Sequence, residues 1–367
     1  MYTNLNKYQN RIYFMRLALA QAQKNLGKTN ENPSVGCVIT KNNTVVSLGH
    51  TNIYGRPHAE QNAINETKTN LKGSEFYVTL EPCSHYGKTP PCTKLIIKKR
   101  VKKVFFSIND PDLRSYNKCT KILNRKRILV NKGTCSNESN LFYRSYVKSK
   151  RDLLPFVTCK LAISKDFFTI NKKSKWITNK FSRSRVYLMR SKHDCVMSSS
   201  KTIIKDKARL TCRILGLENK SPSRIILDNK LKIPIGSKIV KEASNYRTII
   251  FYNKINKKKI RLLKKLRIKL YKLPLNDEGN LDLQETLIQA KALGFYRIFL
   301  ESGVRLTTNF LCKNLVDDLS LFISNKNLGK NGKNKFKKNL KLFLKNKKFH
   351  NEKVNLFGDK LITYKIK

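Results

Sequence analysis

One group of side chains restricts the folds open to this chain more than any other feature. His58 and Glu60 lie two residues apart where a helix is predicted to begin, and "LEPCSHYGKTPPC" supplies Cys83 and Cys92, each preceded by proline. One histidine and two cysteines are ligands that zinc accepts in a tetrahedral site with its fourth position left for water. The sequence therefore predicts a zinc site assembled from a helix start, a strand end and a second helix start.

The chemistry of this site follows from the same positions. The start of a helix favours the thiolate form of Cys92, and His58 can aim a ring nitrogen at the metal. Zinc lowers the pKa of a bound water from above 15 to about 7, and Glu60 can take the water proton and deliver it to a departing amine. A His-x-Glu element followed by Pro-Cys is the pattern of the zinc deaminases.

Structural interpretations compete with this one. A lone His-x-Glu pair is more often the start of a surface helix, and two cysteines nine positions apart are commonly just buried. The doubled Pro-Cys and the upstream "NPSVGCVI" favour the metal site. His85 is a competing ligand, but it is interpreted as a residue of a substrate loop because three protein ligands are complete without it.

The length of the chain predicts two domains. At 367 residues it exceeds the usual limit for one hydrophobic core, and the alternation of elements begins again near residue 150, which divides the chain into 1–150 and 151–367. No segment is apolar enough to span a bilayer and the N-terminus carries no signal core, so a cytoplasmic enzyme is expected. Nine scattered cysteines, an odd number, argue against a secreted disulfide framework.

The formal charge of +53 raises the alternative of a nucleic-acid deaminase or binder. Excess lysine is accompanied by excess asparagine and isoleucine throughout, as in "NKINKKKIRLLKKLRIKLYK", which is typical of an AT-rich genome. Global charge argues about solubility and non-specific contacts rather than function. The sequence therefore predicts no specific nucleic-acid or membrane partner, but a surface suited to phosphorylated substrates.

Hydrophobic periodicity predicts helices that alternate with strands, which is typical of α/β layering. One face of the first helix is formed by Phe14, Leu17, Ala18, Gln21 and Ala22. The predicted strands are "VGCVIT", "TVVSLG", "EFYVTL", "VKKVFFSI", "RILV", "FVTCKLAIS", "HDCVM", "SRIILD", "YRTIIFY" and "FYRIFLES". The polar stretch "NKGTCSNESN" is expected to precede the closing helix of the first domain, and the lysine-rich segment 332–367 receives no assignment.

The segments "NPSVGCVI", "PHAE" and "YVTLEPCSHYGKTPPC" resemble the deaminase domain of the bifunctional riboflavin-biosynthesis deaminase/reductases of the RibD type. The long "CSHxGxTPPC" element differs from the shorter Cys-x-x-Cys of tRNA-editing and cytidine deaminases. The resemblance implies a cytidine-deaminase-like three-layer α/β/α domain that deaminates 2,5-diamino-6-(5-phosphoribosylamino)pyrimidin-4(3H)-one to 5-amino-6-(5-phosphoribosylamino)uracil. It also implies that Asn32 helps to hold the pyrimidine and that "NDPD", Asn109 to Asp112, lies near the pocket.

The second half resembles the reductase domain of the same family through "KLAIS", "SKWIT", "MRSKHDCVM", "RIILD" and "FLESGVRLTTNFL". The resemblance implies a dihydrofolate-reductase-like α/β domain in which NADPH reduces the ribosyl to a ribityl side chain. The residues it assigns to NADPH are Ala162, Trp176, Thr202, Asp206, Gly303, Val304, Arg305, Leu306, Thr307, Thr308 and Asn309. Those it assigns to the substrate are Ser174, Arg190, Leu210, Arg213 and Glu301. Arg190 and Arg213 are suited to a bidentate grip on the ribose phosphate, or they are solvated surface charges.

The chain departs from the family pattern at several positions. "LRSYNK" follows the "NDPD" loop where glycines are usual, Phe167 replaces the glycine of a Leu-Asp-Gly turn, and serines or lysine fill Ser198 to Lys201 where glycines are expected. Because an added side chain can close a pocket, an active deaminase with a degenerate reductase half is an alternative. The family also implies a homodimer or homotetramer.

Overall fold

The computed structural model describes residues 2–367, with side chains from residue 8 onward. The chain divides into two compact units, Met1–Asp152 and Leu153–Lys367. Each unit encloses its own hydrophobic core, as expected for a chain too long to bury one. In the part of the chain that the structure describes, no helix combines the length and apolar character that crossing a bilayer requires.

The first unit contains five strands and five α-helices among its described residues. The strands are β1 (Gly36–Lys41), β2 (Thr44–His50), β3 (Glu75–Val78), β4 (Lys103–Phe106) and β5 (Leu129–Lys132). The helices are α1 (Tyr2–Ala22), α2 (Ala59–Asn65), α3 (Cys92–Lys98), α4 (Cys119–Asn124) and α5 (Ser136–Arg151). The last helix begins inside the polar stretch that was expected to precede it.

The sheet of the first unit has the order β2-β1-β3-β4-β5. Strand β1 is antiparallel to β2 and β3, whereas β3, β4 and β5 are parallel. Side chains alternate between its faces: Val38 packs with Phe14 and Ala18 of α1, while Cys37 and Ile39 face the core that contains residues of α2, α3 and α4. Helices on both faces produce the three layers that the family resemblance implies, and the parallel strands end at one edge.

The second unit contains eleven strands and seven α-helices. The strands are β6 (Phe156–Ile163), β7 (Phe168–Asn171), β8 (Cys195–Ser199), β9 (Ser223–Leu227), β10 (Thr248–Tyr252), β11 (Lys269–Lys272), β12 (Arg297–Glu301), β13 (Asp318–Ile323), β14 (Gly332–Lys335), β15 (Phe349–Asn351) and β16 (Lys360–Lys365). The helices are α6 (Lys180–Ser191), α7 (Ser200–Asp206), α8 (Lys238–Lys241), α9 (Lys257–Lys265), α10 (Leu283–Ala292), α11 (Val304–Cys312) and α12 (Lys337–Leu344). Short 3-10 helices in the two units are Gln23–Asn25, Ile53–Gly55, Glu218–Lys220, Glu242–Ser244 and Gly329–Asn331.

A nine-stranded sheet of order β11-β10-β9-β8-β12-β6-β13-β16-β15 forms the centre of the second unit. All neighbouring strands are parallel from β11 to β13, and β16 runs antiparallel to β13 and β15. Hydrophobic cores lie on both faces of this sheet, as expected for parallel strands buried on two sides. Strands β7 and β14 pair separately.

The C-terminal segment 332–367 is part of this fold. Its last strand, β16, pairs with the whole of β13, from Asp318 opposite Lys365 to Ile323 opposite Lys360. Leu340 of α12 and Leu361 of β16 are each 3% exposed. The lysines alternate with or flank these apolar positions. The amphipathic helix and the strand were therefore not predicted from the lysine-rich sequence.

Candidate functional site

Three elements of the first unit bring the predicted zinc ligands together. His58 is the residue before α2, Cys83 follows β3 in a loop, and Cys92 is the first residue of α3. The Nδ1 atom of His58 lies 3.5 Å from Sγ of Cys83 and 3.4 Å from Sγ of Cys92. Zn–S and Zn–N bonds in a tetrahedral site require such atoms to be about 3.6 Å apart. These donor atoms therefore fit a single zinc ion.

The surroundings of Cys83 favour its thiolate, the form that binds metals. The Cys92 thiol, the His58 ring and the backbone N–H of Cys92, 3.2 Å from Sγ, together lower the pKa of Cys83 to about 4 against the effect of burial. The same thiolate, with burial, raises the pKa of Cys92 well above its usual value. A bound cation would displace the proton from Cys92, because both cysteines bind metal as thiolates.

Glu60 is a buried carboxyl group next to this centre. Its side chain lies in the first turn of α2 and the residue is 3% exposed. Burial, followed by the negative charge of Cys83, raises the pKa of Glu60 to about 7. A carboxyl with this pKa can both accept and donate a proton at neutral pH, which suits general acid–base catalysis.

Asn32 lies beside the segment that leads into His58. Gly55 has φ +88°, and a Cβ atom there would come within 2.3 Å of Nδ2 of Asn32. Glycine is required at this position by its left-handed backbone and by the close approach. The structure thus packs Asn32 against the residues immediately before the metal ligand, where the sequence predicted a substrate contact.

The "NDPD" loop lies against the segment between β3 and Cys83. The buried carboxylate of Glu81 accepts hydrogen bonds from the backbone N–H groups of Asp110 at 3.2 Å, Asn117 at 3.0 Å and Cys119 at 3.0 Å. Asn117 has φ +57°, a left-handed conformation that asparagine tolerates better than most residues. Asparagine can therefore stand in this loop, where glycines are usual in the family. Sequence reasoning missed Glu81, although its position next to Pro82-Cys83 was a signal.

His85 does not belong to the ligand cluster, which among the described residues consists of His58, Cys83 and Cys92. Its Nδ1 atom lies 2.8 Å from Oγ of Ser115, a fully buried residue of the loop after "NDPD". Asp112 of that loop pairs with Arg114 at 2.7 Å and Lys150 at 3.2 Å, and Arg114 in particular lowers the pKa of the Asp112 carboxyl. The loop is therefore fixed by charges and hydrogen bonds.

In the second unit, Arg190 and Glu301 form a buried ion pair. Nε and Nη2 of Arg190 donate to the two carboxylate oxygens of Glu301 at 2.9 and 2.8 Å, and Nη1 donates to the carbonyl of Thr211 at 2.8 Å. Arg190 is 6% exposed, so the interpretation of Arg190 as a solvated surface charge is wrong. The bidentate fork expected to grip a phosphate is already engaged by Glu301.

Lys160 is a further charged group beside this pair that sequence reasoning did not assign. It lies opposite Glu301 in the register of β6 and β12 and is half-buried. Burial lowers the pKa of Lys160, whereas burial of Glu301 is outweighed by Arg190 and Lys160, which lower the pKa of Glu301. A lysine in an otherwise apolar strand was the available signal.

The residues assigned to NADPH lie in four parts of the second unit: β6, the Trp176 loop, α7 and the start of α11. Oγ1 of Thr202 in α7 accepts from the backbone N–H of Gly303 at 3.4 Å. Gly303 is the N-cap of α11, whose first turn carries no acidic residue. Because the first N–H groups of an α-helix have no partner within the helix, a start without a side-chain cap is suited to a diphosphate. Thr307 is fully buried inside this helix, whereas Arg305 is exposed.

The Trp176 loop and α7 are linked by Lys175. Its Nζ donates to the carbonyl of Asp206 at 2.9 Å, and the backbone N–H of Trp176 donates to Oγ of Ser174 at 3.2 Å. The indole is 47% exposed. The structure therefore places Trp176, Ser174 and Asp206 in one neighbourhood, where Lys175 lies 5.0 Å and Arg183 4.6 Å from the centroid of the indole ring.

Three assigned residues differ in what they can offer a ligand. The side chain of Leu210 is 2% exposed and lies in a hydrophobic core, so only its backbone could contact a substrate. Ala162 is partly buried against the same core in β6. Arg213 is exposed, donates to the hydroxyl of Tyr187, and stacks 4.5 Å from that ring, which leaves part of its guanidinium free for an anion.

The serines that replace family glycines in the second unit have structural partners. Ser199 is the N-cap of α7, where its Oγ accepts from the N–H of Thr202 at 3.2 Å. Ser198 is buried and donates to the carbonyl of Glu301 at 2.6 Å. Phe167 has φ +71° in place of glycine, and it packs against the hydrophobic core. These departures are integrated into the fold.

Two family models match the chain. The model of the cytidine and deoxycytidylate deaminase zinc-binding region matches residues 8–108, and the model of the RibD C-terminal domain matches residues 155–361. The riboflavin biosynthesis protein RibD of Aquifex aeolicus (strain VF5) is 35% identical over 86% of this chain and 87% of that protein. RibD of Actinobacillus pleuropneumoniae is 33% identical over 89% of this chain and 87% of that protein.

Solved structures are similar over nearly the whole length. Acinetobacter baumannii RibD, form 1, has a TM-score of 0.83 at 27% identity, covering 98% of this chain and 99% of that chain. A diaminohydroxyphosphoribosylaminopyrimidine deaminase/5-amino-6-(5-phosphoribosylamino)uracil reductase from Thermotoga maritima has a TM-score of 0.81 at 28% identity, with the same coverage. The predicted fold, a cytidine-deaminase-like unit followed by a dihydrofolate-reductase-like unit, is confirmed.

Proposed function

Because this chain belongs to the RibD family of riboflavin biosynthesis proteins, we propose that its first unit deaminates the diaminopyrimidine ribotide and its second unit reduces the product with NADPH. The substrate of the first step is 2,5-diamino-6-(5-phosphoribosylamino)pyrimidin-4(3H)-one. The single observation that carries the proposal is the cluster of His58, Cys83 and Cys92 with a buried glutamate beside it.

The first unit supplies the groups that hydrolytic deamination requires. Zinc held by His58, Cys83 and Cys92 would lower the pKa of the attacking water to about 7. Glu60 would take the two protons of that water in turn, delivering the first to the ring nitrogen and the second to the amino group, which leaves as ammonia. Burial raises the pKa of the Glu60 carboxyl above its usual value, which suits a group that must take up a proton and give it back. Asn32 and the loop around His85 hold the pyrimidine.

The second unit would hold NADPH between α7, the start of α11 and the Trp176 loop. The cofactor supplies the hydride that opens the ribosyl group to a ribityl chain. The first residues of α11 present backbone N–H groups to its diphosphate, and Thr202, which accepts from the N–H of Gly303, borders the same cap. The serines at the family's glycine positions serve as cap and hydrogen-bond donor, which favours a working site over a degenerate one.

The two arginines assigned to the substrate in the second unit have different roles. Arg190 holds Glu301 in place rather than binding phosphate, because its fork is used by that carboxylate. The exposed guanidinium of Arg213 is the better candidate for the ribose phosphate. Glu301 and Lys160 lie opposite each other at the end of the sheet, where they can orient the sugar hydroxyl groups.

The test incubates the purified protein with the diaminopyrimidine ribotide, with and without NADPH, and identifies the products by mass. We expect exchange of an amino group for oxygen in both reactions and the addition of a hydride and a proton only with NADPH. Deamination without reduction would support the degenerate reductase. Binding of tRNA with a steep salt dependence and no turnover of the nucleotide would contradict the proposal and favour a nucleic-acid function.

We also propose a homodimer or homotetramer and a cytoplasmic location. Support for the location comes from nine cysteines that are all free, a state typical of reducing compartments. Light scattering on the purified protein measures the oligomeric mass, and a monomer at micromolar concentration would contradict the oligomer.

A further inference from the structure

The turn before the last strand reaches across to two other segments of the second unit. Asp359, which is 7% exposed, accepts through Oδ2 from the backbone N–H of Asn179 at 2.9 Å and from Oγ of Ser182 at 2.7 Å. Its Oδ1 accepts from the backbone N–H of Asn325 at 3.3 Å. One buried carboxylate therefore connects the C-terminal turn, the start of α6 and the end of β13.

Other contacts of the same turn strengthen its connection to the start of α6. Nδ2 of Asn179 donates to the carbonyls of Leu356 at 2.6 Å and Phe357 at 3.2 Å. The rings of Phe181 and Phe357 stack with their centroids 3.9 Å apart. Asn179 is also the N-cap of α6, where its Oδ1 accepts from the N–H of Ser182 at 3.0 Å. The C-terminal turn thus fixes the residue at which α6 begins.

The start of α6 also contacts the loop that contains Trp176. Arg183, one turn into the helix, has its guanidinium carbon 4.6 Å from the indole ring centroid. Its Nη1 also donates to the carbonyl of Thr178 at 2.8 Å. A movement of the helix start would therefore carry both the cation over the indole and the backbone that follows it.

We propose that Asp359 is a positioning residue of the reductase: through Asn179 and Ser182 it fixes the start of α6, and with it the loop that presents Trp176 to NADPH. The inference rests on the proposed function, which assigns Trp176 to the cofactor. An ionised carboxylate suits the position because its two oxygens accept all three hydrogen bonds, whereas an amide would turn an NH₂ group toward a donor. The lysine-rich C-terminal segment then contributes to the cofactor site as well as to the sheet.

Trp176 is the only tryptophan in the chain, so its fluorescence reports on this loop without any ligand. Asp359→Ala removes all three hydrogen bonds, Asp359→Asn changes one oxygen to a donor, and Ser182→Ala removes a single bond without changing the turn. We expect faster quenching of Trp176 by acrylamide in all three variants, largest for Asp359→Ala. We also expect the Kd and KM for NADPH to rise by about tenfold in Asp359→Ala, with a smaller change in kcat.

The matched control is Asp282→Ala. Asp282 is also a hydrogen-bonded carboxylate of the second unit, where it caps α10 by accepting from Gln284 and Glu285 at 2.8 and 2.9 Å. We expect Asp282→Ala to lower thermal stability without changing Trp176 quenching or NADPH affinity. Deamination by the first unit, measured on the same samples, should be unchanged in every variant.

Two outcomes separate the inference from the function on which it rests. If Asp359→Ala and Ser182→Ala lower the melting temperature as Asp282→Ala does, yet leave quenching and NADPH affinity at wild-type values, the role of Asp359 is only structural and the inference is overturned. If the unmodified protein binds no NADPH, the reductase function fails instead. The quenching series then still decides whether Asp359 holds the Trp176 loop.

Discussion

The metal centre of the first unit and the cofactor region of the second were predicted by the same family resemblance, but the fold uses their residues differently. His58, Cys83 and Cys92 come together as their spacing predicted, with the two sulfur atoms 3.4 and 3.5 Å from Nδ1 of the histidine. Arg190 keeps its position but not its predicted partner, since Glu301 occupies its fork. The position of a residue in a motif therefore predicts where it lies in the fold better than it predicts which group it contacts.

The physical difference lies in how each site is assembled. The zinc ligands come from one stretch, residues 58–92, and each follows or begins a regular element whose geometry is local. The second site draws on residues from β6 to α11, and its charged groups are close enough to satisfy one another. Zinc binds only a few types of ligand atom. An arginine, in contrast, can donate hydrogen bonds to any carboxylate or carbonyl oxygen that packing brings near.

Removing a zinc ligand should give the largest effect and would break the comparison most directly. We expect Cys83→Ala to lose zinc and to lower deamination by more than about 10⁴-fold, because without the metal no water with a lowered pKa is available for the attack. Elemental analysis and the deamination assay measure both. Cys119→Ala, another buried cysteine at a helix start in the same unit, should retain the metal. Zinc retained at full occupancy in Cys83→Ala would mean that the ligand set is misassigned.

Glu60→Gln tests whether proton transfer is separate from metal binding. We expect zinc to stay bound while deamination falls by about 10²- to 10⁴-fold, the usual contribution of a general acid–base group. Glu66→Gln, an exposed position at the end of the same helix, should be unaffected in both assays. Near-normal turnover by Glu60→Gln would remove this residue from the mechanism.

Arg190→Lys sharpens the contrast from the side of the second unit. Lysine keeps the charge but cannot reproduce two parallel hydrogen bonds to Glu301, so we expect reduction to fall by about 10- to 100-fold. Deamination, which belongs to the other unit, should not change. NADPH oxidation measured by absorbance gives the rate. Arg185→Lys is the control, because Arg185 lies on the same helix and makes a single contact to Glu352 at 3.4 Å. Equal effects of the two substitutions would argue against a special role for the Arg190–Glu301 pair.

The smallest expected effect concerns a departure from the family's glycines. Asn117→Gly should leave the free energy of unfolding nearly unchanged, whereas Asn117→Ala should lower it by about 1 kcal/mol, because alanine is strained at φ +57°. Urea unfolding of the two variants measures the difference. A destabilised Asn117→Gly would show that the asparagine side chain, rather than its backbone, is what the loop requires.

Much of the fold was predictable because apolar periodicity reflects burial. The face Phe14, Ala18 and Ala22 is buried as expected, and the strands of both units lie close to the predicted apolar runs. The C-terminal segment was not predictable, because lysine-rich composition hid the amphipathic helix α12 and the strand β16. These two elements have few apolar residues. The strand β16 is recognisable only from its pairing with the whole length of β13.

The sequence by itself determined the metal chemistry and the family, since ligand types at a fixed spacing leave few alternatives and the spacing is set by elements that form locally. Only the tertiary structure decided which charges meet. Glu81 holds the "NDPD" loop, Arg190 holds Glu301, and Asp359 holds the start of α6 across a sequence separation of 180 residues. Hydrogen bonds between distant residues depend on the packed position of whole elements, and no local pattern along a chain encodes that position.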